Sequence, residues 1–171
     1  EKISAQYCVD PKQVFATGFS NGAMLTHRLA CEVPGLLAGI APVSGGLMLP
    51  RCAADSPVPA LLIQGRDDPR IFWEGGSFDG SYRPSMQETV AMLAGRNRCA
   101  KQETASAKAG GLVNCRQRED CAGAPLRYCG VRGVGHQWPG GKTYWPDKLG
   151  PNTDRFDATA EIFQFFATLA R

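Results

Sequence analysis

Val14-Phe15-Ala16-Thr17-Gly18-Phe19-Ser20-Asn21-Gly22-Ala23-Met24 is the stretch on which the reading of the fold turns. Residues 14–19 are β-prone, and Asn21 to Glu32 carry good helix formers with no proline, so the segment reads as strand, sharp turn, helix. At the turn, Gly18-Phe19-Ser20-Asn21-Gly22 matches G-x-S-x-G, in which a serine sits on a strained bend and glycines are required because a Cβ on either side would clash. By composition alone the pattern arises in about one chain in ten or twenty of this size, so its weight comes from the strand before it and the helix after it.

Working outward, two apolar runs follow. Leu36 to Val43 ends at Ser44-Gly45-Gly46, and Val58 to Ile63 ends at Gln64-Gly65. Runs apolar on both faces read as buried parallel strands. Between Pro84 and Arg98, Met86, Val90 and Leu93 fall at i, i+4 and i+7, one stripe of a helix packed on a sheet. Pro125 to Val131 is the next strand candidate and delivers the chain to Gly133-Val134-Gly135-His136. Asp157 can cap a closing helix whose Ile162, Phe165, Phe166 and Leu169 form an apolar stripe. Strands alternating with helices imply one α/β domain over residues 1–171, a parallel sheet with right-handed crossovers and its site at the carboxyl ends of the strands. Residues 100–124 are polar and rich in small side chains, and read as an irregular excursion.

A serine hydroxyl is a weak nucleophile and needs a base, itself held by a third group. The chain has two histidines. His27 lies seven residues along the same helix as Ser20, displaced by about 10 Å at 1.5 Å per residue, and reads as a surface or packing residue. His136 follows a strand and a glycine-rich turn, and is the base by position and by elimination. For the acid, Leu61-Leu62-Ile63-Gln64-Gly65-Arg66-Asp67-Asp68 ends a strand with two adjacent carboxylates, which spacing does not separate. Asp67 could equally be a solvated neighbour or pair with Arg66 or Arg70. The chain order is Ser, Asp, His.

The bulk numbers set limits on this chemistry. The 171 residues carry 19 basic and 16 acidic side chains, a net charge of +3, scattered rather than clustered, so there is no electrostatic footprint for nucleic acid. No apolar run approaches the roughly 18 to 20 residues of a membrane span. Seven cysteines point to an oxidising compartment, and the odd count leaves at least one unpaired within the chain. Cys115, Cys121, Cys129 and His136 lie close in sequence, but without the close pairs of a zinc framework; neither metal nor cofactor is expected.

Tyr7-Cys8-Val9-Asp10-Pro11, Gly18 to Met24, Ala41-Pro42-Val43, Gly65 to Gly76 and Gly135-His136-Gln137-Trp138-Pro139-Gly140-Gly141 together resemble the polyhydroxybutyrate depolymerase and feruloyl esterase group, related to carbohydrate esterase family 1. The resemblance spans most of the chain, and the His-x-Trp-Pro-Gly-Gly stretch is its most specific part. It implies an α/β-hydrolase three-layer sandwich, here from the nucleophile strand onward, and hydrolysis of a polymer-linked carboxylic ester by a secreted or periplasmic protein. In that group a glycine is followed at the third position by the catalytic aspartate and a proline, then an aromatic and two glycines. Here these are Gly65, Asp68, Pro69, Trp73, Gly75 and Gly76, which selects Asp68. The resemblance further implies substrate contacts at Trp138 and Trp73, an oxyanion donor at the Asn21 N–H, and a Cys99–Cys121 disulfide. The remaining cysteines cannot be connected from sequence. A second oxyanion donor is expected from a loop well upstream of the nucleophile, so the chain reads as a fragment lacking the early strands. The competing reading is a catalytically silent polymer-binding remnant, with Trp138, Tyr144 and Trp145 stacking on sugar or phenolic rings.

Overall fold

The computed structural model describes residues 3–52 and 57–170. Strand β1 (Phe15–Phe19) leads through Ser20 into helix α1 (Asn21–Glu32), and the chain returns as β2 (Gly39–Val43) and β3 (Ala60–Gly65). A small hairpin, β4 (Gly76–Phe78) and β5 (Ser81–Arg83), precedes helix α2 (Met86–Arg96). Strands β6 (Glu103–Lys108), β7 (Val113–Arg118) and β8 (Leu126–Val131) follow, then a single turn α3 (Pro146–Leu149) and the closing helix α4 (Ala158–Leu169). The main sheet runs in the order β1-β2-β3-β8-β7-β6. β1, β2, β3 and β8 are mutually parallel, while β7 and β6 are antiparallel to their neighbours.

The expected three-layer sandwich is present. Alternate residues of the buried strands serve opposite faces. Ile40, Ala60, Leu62, Leu126 and Tyr128 pack with Ala30 and Cys31 of α1 and Val90 and Leu93 of α2. Ala41, Val43, Leu61, Ile63, Cys129 and Val131 pack with Ile162, Phe165 and Phe166 of α4. Every residue of β2 and β3 is buried, and each buried Leu or Ile contributes about 1.5 to 3 kcal/mol over exposure. The helix starts are those the sequence marks. The Asp157 side chain accepts the Ala160 N–H, and Ser85 with Glu88 forms a capping box on α2.

The expected irregular excursion over residues 100–124 is corrected: it contains the β6–β7 hairpin, which extends the sheet at one edge. Its turn is Ala109-Gly110-Gly111, all three at positive φ, where glycine is favoured. β6 is Glu-Thr-Ala-Ser-Ala-Lys with four exposed residues, so it lacks the apolar signature by which a strand is recognised. Cross-linking compensates for this thin core: Cys115–Cys129 joins β7 to β8, and Cys99–Cys121 closes the base of the hairpin. Cys31–Cys52 ties α1 to the segment after β2, leaving Cys8 free and exposed.

Candidate active site

Ser20 sits where β1 becomes α1, at φ 56° and ψ −116°. A non-glycine residue at positive φ costs on the order of 1–3 kcal/mol, met here by fixed hydrogen bonds on both sides. The Ser20 N–H donates to the Val43 carbonyl at 3.0 Å, and the Met24 N–H donates to the Ser20 carbonyl at 3.0 Å. A Cβ at Gly18 would lie 2.4 Å from the Gly22 carbonyl carbon, and one at Gly45 would lie 2.6 Å from the Ser20 carbonyl oxygen. Those two glycines let helix and strand close on the serine. Gly22 is a correction to the motif reading, because a Cβ there would meet nothing within 4 Å. Asn21 opens α1, so its N–H has no intrahelical acceptor.

His136 reaches the serine from the loop after β8. Its Nε2 lies 2.9 Å from Ser20 Oγ, and its Nδ1 lies 2.8 Å from Asp68 Oδ2. Asp68 is 4% exposed and His136 is 5% exposed, so both interactions are shielded from bulk water. The second carboxylate oxygen, Asp68 Oδ1, accepts the N–H groups of Arg70 and Ile71 at 2.8 Å each, which fixes the carboxylate plane. Asp67 lies in exposed surface and makes no ion pair with Arg66 or Arg70; it accepts the Gly133 N–H at 2.8 Å through Oδ2. It therefore fastens the start of the loop that carries His136. Gly65 and Gly135 are needed for close approach: a Cβ on Gly65 would lie 2.1 Å from the Val134 carbonyl oxygen, and one on Gly135 2.1 Å from that of Leu149.

A phospholipase/carboxylesterase family model matches residues 2–83. A protein of Nocardia uniformis subsp. tsuyamanensis named as an esterase, NocK, is 36% identical over 182 residues, covering 94% of this chain and 52% of its own length. Feruloyl esterase B of Piromyces equi is 28% identical over 168 residues, covering 85% of this chain and 28% of its own length. Among solved structures, an acetyl xylan esterase from Aspergillus awamori superposes with a TM-score of 0.59 at 19% identity, over 94% of this chain and 62% of that one, and shows the fold. The chain is similar to esterases of the α/β-hydrolase group and shares their fold. It spans about half the length of NocK and less of the fungal feruloyl esterase.

An apolar pocket of about 320 Å³ opens beside His136, lined by Phe19, Gln137, Trp138, Tyr144, Trp145 and Leu149. Trp138 thus stands beside the triad. Trp73 does not line that pocket: it is 8% exposed, packs in the core beneath α2 with the Arg66 guanidinium 4.3 Å above its ring, and abuts Gly130. It also borders a separate cleft over β6, β7 and β8. Packing explains its place in the pattern, away from the pocket beside His136. Phe19, Gln137 and Leu149 were not singled out from sequence; the first two are immediate neighbours of Ser20 and His136, the only signal they carry.

His27 is a packing residue, as expected, but an unusual one. It is 0% exposed and neither ring nitrogen completes a hydrogen bond. Burial pushes its pKa down to about 4; the backbone of Gly45 opposes the shift and the Arg96 charge adds to it. Among the described residues, no group of three or more His, Cys, Asp or Glu side chains is placed to hold a metal ion. No helix of the described residues is long and apolar enough to cross a membrane.

Proposed function

We propose that residues 1–171 form one catalytic domain of a serine esterase that cleaves carboxylic esters linked to a polymer, in a secreted or periplasmic setting. The observation that carries this reading is the unbroken chain Asp68–His136–Ser20, with 2.8 Å and 2.9 Å contacts, ending on a serine held at positive φ. A silent polymer-binding remnant has no use for such a chain. In the first half-reaction Ser20 Oγ attacks the ester carbonyl carbon while His136 Nε2 takes the hydroxyl proton. The carbonyl oxygen becomes an oxyanion facing the Asn21 N–H. Collapse breaks the C–O bond to the alcohol, which leaves with the proton returned by His136, and the acyl group stays on Ser20. Water, deprotonated by His136, then attacks the acyl-enzyme and releases the acid. Asp68 keeps Nδ1–H pointed at itself, so Nε2 is the free base, and it stabilises the imidazolium formed in each half-reaction.

The polymer-linked substrate is supported by the names of the relatives, a feruloyl esterase and an acetyl xylan esterase, and by the aromatic pocket beside His136. The oxidising setting is supported by the three disulfides. The test is covalent trapping in the full-length protein. A fluorophosphonate should label Ser20, Ser20→Ala should abolish labelling, and ester turnover should fall on the order of 10⁶-fold with the thermal midpoint nearly unchanged. A wild-type protein that takes up no label and turns over neither methyl ferulate nor a hydroxybutyrate oligomer sinks the esterase reading.

A further inference from the structure

Residues 142–150 form a strap, exposed from 142 to 148, yet tied down from beneath. Gln137, 1% exposed and next in sequence to the base, makes every one of its side-chain hydrogen bonds to this strap. Its Nε2 donates to the Tyr144 carbonyl at 2.7 Å and to the Gly150 carbonyl at 2.9 Å, and its Oε1 accepts the Tyr144 N–H at 3.0 Å. The His136 N–H donates to the Leu149 carbonyl at 2.6 Å, so the base's own backbone grips the same strap. Between those anchors the strap turns through Trp145 at φ 36°, and presents Tyr144 at 61% and Trp145 at 74% exposure. A buried amide with three hydrogen bonds satisfies only backbone that surface water could solvate equally well. The arrangement therefore fixes a conformation, and that conformation holds two large aromatic rings in water at the mouth of an apolar pocket.

We propose that Gln137 is a positioning residue that clamps the 142–150 strap as a rigid aromatic wall, and that this wall selects the alcohol half of the ester. The second part rests on the esterase reading above. The base that lines the pocket must hand its proton to the departing alkoxide, so the group nearest His136 at bond cleavage is the alcohol. The pocket walls are Phe19, Trp138, Tyr144, Trp145 and Leu149, which suit an alcohol with a flat apolar face, an aryl ring or the CH face of a sugar.

Substrates with one acyl group and two alcohols test the idea, with Gln137→Glu as the variant. Glutamate keeps the shape and the acceptor for the Tyr144 N–H but sets a second carboxylate oxygen against the Tyr144 and Gly150 carbonyls, where a donor is required. In the full-length protein, kcat/KM for benzyl acetate should fall at least tenfold more than for methyl acetate, and mainly through KM. Equal loss on both esters would mean that Gln137 serves only His136, and equal retention would mean that the wall selects nothing; either overturns the selection. The clamp has its own readout, amide exchange, which needs no activity. At pH 7 exchange in residues 142–150 should be at least tenfold faster in Gln137→Glu than in wild type, while α4 is unaffected. The ratio should fall back toward one near pH 4, where the carboxyl is protonated and can donate again. Unchanged exchange at pH 7 overturns the clamp. A wild-type protein inert on both esters but showing this exchange pattern would sink the esterase reading and leave the clamp standing.

Discussion

The parallel centre of the sheet and its antiparallel edge are built on different principles. β2 and β3 are buried throughout, β8 nearly so and β1 half-buried, and the turns after β1, β3 and β8 deliver Ser20, Asp68 and His136 to one point. β6 and β7 are largely exposed and are held by Cys99–Cys121 and Cys115–Cys129. One region is organised by burial and brings Ser20, Asp68 and His136 together; the other is organised by covalent bonds and contributes none of the three. Substitutions of the polar side chains that the first region brings together should therefore act on turnover with little effect on stability, and loss of the cross-links in the second should do the reverse.

The sharpest version of this contrast lies between two adjacent carboxylates at the end of β3. Asp68→Asn leaves the two backbone donors of Arg70 and Ile71 an acceptor but can hold the imidazole in the wrong tautomer, so kcat should fall about 10⁴-fold. Asp67→Asn can still accept the Gly133 N–H through its amide oxygen, so kcat should change by less than tenfold. Steady-state kinetics on the two variants decides, and a large loss in Asp67→Asn with a small one in Asp68→Asn would reverse the assignment of the acid.

At the edge, the paired change Cys99→Ser with Cys121→Ser opens a 22-residue loop and should cost about 3 kcal/mol of stability, read by denaturant titration, with kcat/KM within a few-fold of wild type. A loss of activity matching the loss of stability would show that the edge supports the site directly. On the α1 side of the centre, acidification should expose His27. Its folded pKa of about 4 lies below the unfolded value near 6.5, so the unfolded chain takes up the proton first. Its contribution is whole above pH 6.5 and shrinks as the pH falls, reaching a loss of up to about 3 kcal/mol by pH 4. His27→Leu should lose less stability than wild type between pH 7 and pH 4, and an equal loss would remove His27 as the cause.

The same division governs what the sequence made legible. α1 begins and ends where the helix-forming stretch does, Met86, Val90 and Leu93 are all buried on α2, and Asp157 caps α4, because each of these features answers to a local periodicity or cap. The convergence of Ser20, Asp68 and His136 is readable because strand ends in a parallel sheet converge, though the choice of Asp68 over Asp67 rests on a resemblance and not on spacing. β6 is not legible because an exposed edge strand needs no apolar alternation. Nor is Gln137, because its partners, Tyr144 and Gly150, are defined only once the strap has folded back on the loop.

The smallest expected effect tests whether everything in the nucleophile motif is there for chemistry. Gly18 and Gly22 look equivalent in G-x-S-x-G, but a Cβ on Gly18 would meet the Gly22 carbonyl carbon at 2.4 Å, whereas one on Gly22 would meet nothing within 4 Å. Gly22 also lies inside α1 and is absent from the positive-φ residues, so its backbone suits alanine. Alanine restricts the unfolded chain and is the better helix former, so Gly22→Ala should raise stability by about 0.5 to 1 kcal/mol. Turnover should stay within a few-fold, since neither Ser20 nor the Asn21 N–H has to move. Gly18→Ala should instead push α1 off β1 and cost activity and stability together. Thermal melts and kinetics on both variants separate the cases: a Gly22→Ala protein as damaged as Gly18→Ala would mean that the second glycine serves a step in catalysis, such as the passage of substrate over the helix start.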